Sequence, residues 1–555
     1  MCLKILKITK IFIFLFCCFS DGLFAQQLTP KQWNEDLNYL VEHLQAMHPN
    51  LYAATTKEEF EIKTKTLRST FGKKPDADIW CGLIELISCI KDGHTVMSNN
   101  VINRYFPVRF YQFEDGIFIT AIDSANKDYA GAKVLKIGNT DIATALQKVM
   151  VMVSAENEMT AAERCVMQLS NAHILKYIGI NKDTASLNLF IQKKDGTTKE
   201  IILKSQQATP SNWMQWGEMF GPFRSLYTGF KNYTSFDHRK GYKDLALFMR
   251  ERMPYWYEYM PGEKTIYFQL NFVQDYAGRD NMKIFVAKLF ASIDSIKPDK
   301  FIIDLRFNSG GDGSRINNIL HQIIKRDDIN QPDKLYVLSG RKSFSAAIML
   351  LAALKEHTNA TFVGEPAGAG FNHYGDAQEI ELPNSKASCN ISTLYHQCGK
   401  AGNKDRLEKN IDIPSRFSSA AYFNGKDPAL DYIFNTRFQR VTTLLSEGKI
   451  QEALAAYKQR EKEWGNFKWY QVFGENDMNT IGYNLIEQHK LNEAITAFEL
   501  NTKEYPESFN VWDSLGEAYV LAGNKEEAIK SYKKVIELNP GSVSAKQAVE
   551  KLQKQ

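Results

Sequence analysis

Long apolar runs are missing from almost all of this 555-residue chain. The exception lies at the start, where Lys4, Lys7 and Lys10 precede the nine apolar residues Ile11 to Phe19, and Leu23-Phe24-Ala25 offers a small residue for cleavage. Nine residues are too few to span a bilayer, and the pattern is that of a secretory signal peptide over residues 1–25. A lipoprotein reading at Cys17 or Cys18 is weaker, because Phe16 or Cys17 stands where a small residue is usual. The expectation is an exported protein, periplasmic or extracellular, with no stable membrane anchor. A strong charge of either sign is missing too. The 68 basic and 64 acidic residues give +4, which falls to +2 once three lysines and Asp21 leave with the signal. That balance gives no reason to expect nucleic-acid binding. Paired cysteines are also scarce. Cys81, Cys89, Cys165, Cys389 and Cys398 remain after cleavage, an odd number without a C-x-x-C spacing, so neither a zinc site nor a full disulfide framework is indicated. In an oxidising compartment Cys389 and Cys398 are the candidate pair. No metal or cofactor is expected.

What is present centres on residues 300–370. Phe301-Ile302-Ile303-Asp304-Leu305-Arg306 reads as a buried strand and breaks at Asn308-Ser309-Gly310-Gly311-Asp312-Gly313. Three glycines in four positions allow a tight turn whose amides are free to face a ligand. A helix follows from Ser314 to Lys325, with Ile316, Ile319, Leu320, Ile323 and Ile324 spaced for one buried face. A second strand, Lys334 to Leu338, runs through Ser339-Gly340-Arg341-Lys342-Ser343-Phe344-Ser345 into a helix from Ala346 to Leu354. A third, Ala360 to Val363, ends in Gly364-Glu365-Pro366-Ala367-Gly368-Ala369-Gly370, and after Leu382-Pro383-Asn384-Ser385 the sheet is expected to continue through Ala387 to Leu394. This alternation predicts α/β crossovers on a parallel sheet. Ser345 stands where strand gives way to helix, so its hydroxyl and the Ala346 amide are candidates for chemistry, with Gly310 or Gly311 supplying a second amide for an oxyanion. The same position suits a helix-capping serine, and spacing alone does not separate the two.

Specific residues add to that pattern. Asp304-Leu305-Arg306-Phe307-Asn308-Ser309-Gly310-Gly311, then Ser343-Phe344-Ser345-Ala346-Ala347, then Phe362-Val363-Gly364-Glu365, resembles the tail-specific, or C-terminal processing, serine protease family. Asp92-Gly93-His94-Thr95, Gly375-Asp376, Leu382-Pro383-Asn384-Ser385 and Gly425-Lys426-Asp427-Pro428 extend the resemblance over roughly residues 30 to 435. It implies a crotonase-like (ClpP-like) α/β protease core over residues 263–435 and a secreted serine peptidase that cleaves polypeptides, with Ser345 as nucleophile and Gly310, Gly311 and Ala346 around the oxyanion. The processing-peptidase branch carries a lysine base in the glycine-rich turn after the third strand. Here that turn reads Pro366-Ala367-Gly368-Ala369-Gly370-Phe371-Asn372, with no lysine. The resemblance then implies the tricorn-like branch, whose general base is a histidine from the N-terminal helical region, and His94 matches it. A Glu shortly before a hydrophobic-x-Pro element belongs to that branch's catalytic group, and Glu408 matches. The branch has a serine beside its histidine, whereas Gly93 and Thr95 flank His94. Retinoid-binding proteins of the eye resemble the same family without being peptidases, so the alternative is a catalytically silent peptide- or ligand-binding protein on this scaffold.

The rest of the chain divides by pattern. Residues 30–95 read as amphipathic helices, with Trp33, Leu37, Leu40, Leu44 and Met47 on one face. Residues 104–205 are strand-rich. Gly131 to Asn139 followed by the helical Ile142 to Val151 resembles the middle of a PDZ-like β domain, a module that adds a peptide to a sheet edge; a small barrel without ligand fits equally. Residues 206–262 form an aromatic-rich connector that lines a cleft or packs a core. From 436 to 555 a 34-residue period appears, clearest at 475–508 and 509–542: Gly482 and Gly516, Ala494 and Ala528, Phe498 and Tyr532, Pro506 and Pro540. This is the tetratricopeptide pattern. It predicts stacked helix pairs that bind a protein partner or cap the core.

Overall fold

A computed structural model of the chain describes residues 27–98, 102–207, 233–235, 247–249, 253–276, 278, 280–409 and 411–554. The expected signal segment and most of the aromatic connector, including Trp213, Trp216, Phe220, Phe223, Tyr227, Phe230 and Phe236, lie outside the described residues. Among the described residues, no helix is long and apolar enough to cross a membrane.

The fold is mixed α/β with a C-terminal helical repeat region. Its centre is a six-stranded sheet in the order Tyr255–Met260, Thr265–Leu270, Lys300–Asp304, Leu335–Ser339, Thr361–Gly364, Ile413–Pro414. The first pair is antiparallel and every later pair parallel. Helices Met282–Ile296, Asn317–Ile324 and Ala346–His357 make the crossovers. Leu335–Ser339 is buried along its whole length, as a continuous apolar run covered on both faces should be. Two expectations need correcting. The helix expected from Ser314 begins as a 3-10 turn, Gly313–Arg315, because Asp312 caps the Ser314 amide and pairs with Arg315. Ile324, assigned to its buried face, is 42% exposed at the helix end.

The described part of the connector is sheet and core. Tyr255 and Trp256 are buried, and the Trp256 indole N–H donates to Gln269 at 2.7 Å.

Residues 387–394 do not continue the central sheet. Ser388–Ile391 instead pairs antiparallel with Gln378–Glu381 on one side and with Val96–Met97 on the other. Ile413–Pro414 takes the place beside Thr361–Gly364. This small sheet fastens the N-terminal helices Pro30–Met47, Lys57–Arg68 and Asp76–Ser88 to the core. Buried Asp36, on the first helix, accepts hydrogen bonds from the amides of Asn384 and Ser385, both 2.8 Å. The loop carrying His94 is therefore held between a packed helix and a paired strand.

The β-rich unit is an antiparallel sheet of Val108–Phe113, Gly116–Asp123, Lys133–Ile137, Ser186–Gln192 and Thr198–Lys204, with helices Ile142–Val149 and Glu158–Gln168 against it. The second helix reaches the core. Its capping residue Asn157 donates to the carbonyls of Ala367 and Arg406, and Thr160 donates to that of Gly368. The Gly368 amide in turn donates to the Ser343 carbonyl.

In the C-terminal region, a Cβ at Gly482 would stand 2.4 Å from the Phe498 ring, and one at Gly516 would stand 2.9 Å from that of Tyr532. The period recurs because each helix pair closes on an aromatic ring that leaves no room for a side chain. The repeats join the core at Trp469, which is buried in the central hydrophobic cluster and faces Arg416. All five described cysteines are free thiols. Cys389 and Cys398 thus form no disulfide; Cys389 is buried in the N-terminal cluster while Cys398 packs against the central one.

Candidate active site

The site is assembled where the second and third parallel crossovers begin, after Lys300–Asp304 and after Leu335–Ser339. After Lys300–Asp304 the backbone turns through Asn308, Gly310 and Gly311, and Gly310 and Gly311 have φ of 117° and 129°. Both close approaches demand glycine. A Cβ on Gly310 would lie 2.6 Å from the Ser345 Cβ, and one on Gly311 would lie 2.3 Å from the Val273 carbonyl oxygen. The loop after Leu335–Ser339 is sewn to this turn. The Ser343 hydroxyl donates to the Leu305 carbonyl at 2.7 Å, and the Phe344 amide donates to the Asn308 carbonyl at 2.9 Å. Two buried ionic clusters secure the floor. Arg306 bridges Asp304 and Asp427, and Arg341 pairs with Glu365, which also receives Arg416.

Ser345 has φ 54° and ψ −124°, precedes helix Ala346–His357, and makes no side-chain capping bond. The geometry disfavours the cap reading. A β-region backbone and an accepting hydroxyl define a cap, whereas Ser345 adopts a left-handed φ that costs about 1–3 kcal/mol. The Gly310 amide donates to Asn308 Oδ1 at 2.8 Å and is engaged. Among the described residues, the amides of Gly311 and Ala346 have no hydrogen-bond acceptor. Those two donors are available to an oxyanion, and Gly310 serves by letting the turn approach Ser345.

His94 and Ser345 line one cleft of about 720 Å³, together with Ser309, Gly311, Asp376 and His396. No hydrogen bond joins the two residues; both ring nitrogens of His94 are buried without a partner among the described residues. The ring stacks on Phe344, centroids 4.4 Å apart, and lies nearly parallel to His373 at 5.9 Å. Burial is the main cause that pulls His94 down to about 4, with His373, Arg164 and His396 adding to it and Asp92 opposing. The imidazole is thus neutral near pH 7, as a base must be. Its loop is fixed by Asp92, which accepts from the His94 amide, His48, Thr95 and Ser392. Burial opposes ionisation of Asp92, but the hydrogen bonds from His48, Ser392 and Thr95 outweigh it and hold the carboxyl well below its usual range.

Glu408 is half-buried outside the lining of this cleft. Its Oε1 accepts from the Phe371 amide at 3.2 Å and from Asn403 at 3.1 Å. No hydrogen bond connects it to His94. Its link is indirect, since the Phe371 carbonyl holds His373 Nδ1 at 3.2 Å and His373 stacks on His94.

Sequence reading missed Glu156 and Arg164, which come from the β-rich unit. Arg164 donates to the Gly93 and Ser154 carbonyls and lies over Phe344. Glu156 is buried and accepts from the Gly93 amide at 3.3 Å. One ligand-capable atom each of Asp92, His94 and Glu156 fall within 4.8 Å of one another. This group is poorly suited to a cation, since Asp92 Oδ2 already accepts three hydrogen bonds and the Arg164 guanidinium supplies positive charge. Neither residue sits in a motif; only the folded contact between the two units reveals them.

Comparison with known proteins gives a fold and a repeat. A tetratricopeptide repeat model matches residues 509–542. Human Superkiller complex protein 3 is 41% identical over 51 residues, which is 9% of this chain and 3% of that protein's length. Mature CPAF complexed with lactacystin superimposes with a TM-score of 0.51 at 12% identity, covering 73% of this chain and 97% of that one. A mutant form of CPAF gives 0.51 at 12% identity, over 74% and 99%. A C-terminal processing protease of photosystem II gives 0.32 at 12% identity, over 72% and 98%. The chain shares the fold of CPAF over about three quarters of its length and carries a tetratricopeptide repeat at residues 509–542.

Proposed function

We propose that the chain is an exported serine peptidase acting on polypeptides. The observation that carries this reading is the conformation of Ser345: a left-handed, uncapped serine at a helix N-terminus, beside two unengaged amides, in a cleft that also holds a neutral histidine. Ser345 Oγ adds to the scissile carbonyl carbon while its proton passes to a ring nitrogen of His94. The oxyanion accepts hydrogen bonds from the Gly311 and Ala346 amides, each worth about 3 kcal/mol of transition-state stabilisation. His94 returns the proton to the departing amine, and water repeats the sequence on the acyl-enzyme. Glu408 acts at one remove, by setting the Phe371 backbone that holds His373 against His94. The fold shared with CPAF and the N-terminal pattern of Lys4 to Ala25 support a peptidase that is exported. The repeats supply a surface for a protein partner.

One observation favours the other reading, a silent binder: Ser345 and His94 are not hydrogen-bonded, and Phe344 is stacked on the imidazole. Digestion of a denatured-protein substrate by the mature chain and by Ser345→Ala decides between them. Turnover lost in Ser345→Ala with unchanged melting supports the peptidase. Absence of turnover in the wild type, or equal turnover in both, favours the binder.

A further inference from the structure

A histidine that takes a proton from serine becomes a buried cation, and some group must orient its ring and answer that charge. This inference rests on the reading of Ser345 and His94 as nucleophile and base. Glu408 is engaged with Phe371 and Asn403, and Asp92 accepts four hydrogen bonds that hold the loop. Asp376, which also lines the cleft, is paired with His396 at 2.7 Å, and Glu156 is the carboxylate left unpaired with a cation. It is buried behind Gly93, and among the described residues its one hydrogen bond comes from the Gly93 amide; it lies within 4.8 Å of His94, whose two ring nitrogens lack partners. A Cβ on Gly93 would stand 3.4 Å from Glu156 Oε1 and 2.5 Å from the Phe344 ring, so glycine is what lets carboxylate, loop and aromatic ring come together.

We propose that Glu156 is the positioning carboxylate of the base: when Ser345 gives up its proton, Glu156 closes the short remaining gap to accept the ring N–H of His94, unbonded in this structure, and compensates the imidazolium. A residue of the β-rich unit would then complete the proteolytic machinery of the core. The docking supports this, because Asn157 and Thr160, which follow Glu156 in sequence, are bonded to the Ala367, Gly368 and Arg406 carbonyls of the core.

The charges around the pair predict how it behaves with pH. Burial and Asp92 push Glu156 up to about 8, against Arg406, the Gly93 amide and Arg164. His94 is pulled the other way by burial, His373, Arg164 and His396, with Asp92 opposing. Glu156 is therefore protonated and neutral at pH 7, and its compensating charge appears only as pH rises through about 8. Peptidase activity should rise on the alkaline side with a limb that belongs to the coupled pair, well above the titration of His94 itself.

Two readouts test this. The first needs no turnover: in protein labelled at histidine Cε1, with the His94 signal assigned by its loss in His94→Gln, the His94 resonance should show an inflection near pH 8 that disappears in Glu156→Gln. The second is the kcat/KM profile, where the limb should be absent in Glu156→Gln and shifted but present in Glu156→Asp. Glu156→Asp also serves if Glu156→Gln fails to fold, through a displaced inflection. An inflection that persists in Glu156→Gln, or none in the wild type, overturns the proposal. An inflection that depends on Glu156 in a protein without hydrolysis sustains the coupling and defeats the peptidase reading instead.

Discussion

Replacing Gly310 with alanine tests the architecture beneath the nucleophile. The added methyl would lie 2.6 Å from the Ser345 Cβ and 3.2 Å from both the Phe344 carbonyl oxygen and the Ser345 hydroxyl. A separation of 2.6 Å cannot be tolerated, and the backbone on the Ser345 side is tied down by the Ser343–Leu305 and Phe344–Asn308 bonds. The alanine must also adopt φ near 117°, at a cost of about 1–3 kcal/mol. Overpacking adds about 1–3 kcal/mol. The fold should survive with a lower melting temperature, since the change sits in a turn rather than in the central cluster. Activity should fall further than stability explains. Moving Ser345 by about 1 Å relative to His94 and the Gly311 amide costs on the order of 10²-fold. The assay is the second-order rate of labelling by a fluorophosphonate, read beside thermal melting at the same pH. A Gly310→Ala protein that melts lower yet labels at the wild-type rate would refute the reasoning, because it would show that the turn does not set the position of the hydroxyl.

Further outcomes follow from other contacts. Ser345→Gly removes both the hydroxyl and the strain of φ 54°, so melting should rise, by the equivalent of about 1 kcal/mol, while hydrolysis disappears. Gly482→Ala drives a methyl to 2.4 Å from the Phe498 ring and should destabilise the repeat region by about 1–3 kcal/mol, seen as an earlier helical transition by circular dichroism with peptidase activity kept below it. Asp92 has a folded-state pKa below its ordinary value of 3.8, so its contribution to stability is complete above about pH 4 and shrinks as pH falls below that. Asp92→Asn should lower stability at pH 7 and flatten the acid limb of the melting curve, as a pH series of denaturant titrations would show.

The central sheet was legible because its strands are short apolar runs ended by glycine and serine turns, and the repeats because Gly482 and Gly516 meet aromatic rings at a fixed period. Ser345 and the two glycines were legible as a turn chemistry, but which amide is free was not. That depends on Asn308 reaching back to the Gly310 amide, a side-chain choice that no spacing encodes. Residues 387–394 read as a continuation of the sheet since period-2 patterning gives a strand its faces but not its neighbours. Their partner, Val96–Met97, is a strand of only two residues and carries no pattern of its own. Glu156 was invisible for a related reason. It lies in a polar stretch between helices, and its proximity to His94 is created by the docking of one unit on another.

The most direct measurement is covalent. The mature protein is incubated with a fluorophosphonate, digested and mapped, in parallel with His94→Ala. The account predicts one modified residue, Ser345, and a much slower reaction when His94 is replaced. Modification at a different serine, or labelling of Ser345 at the same rate without His94, would contradict it.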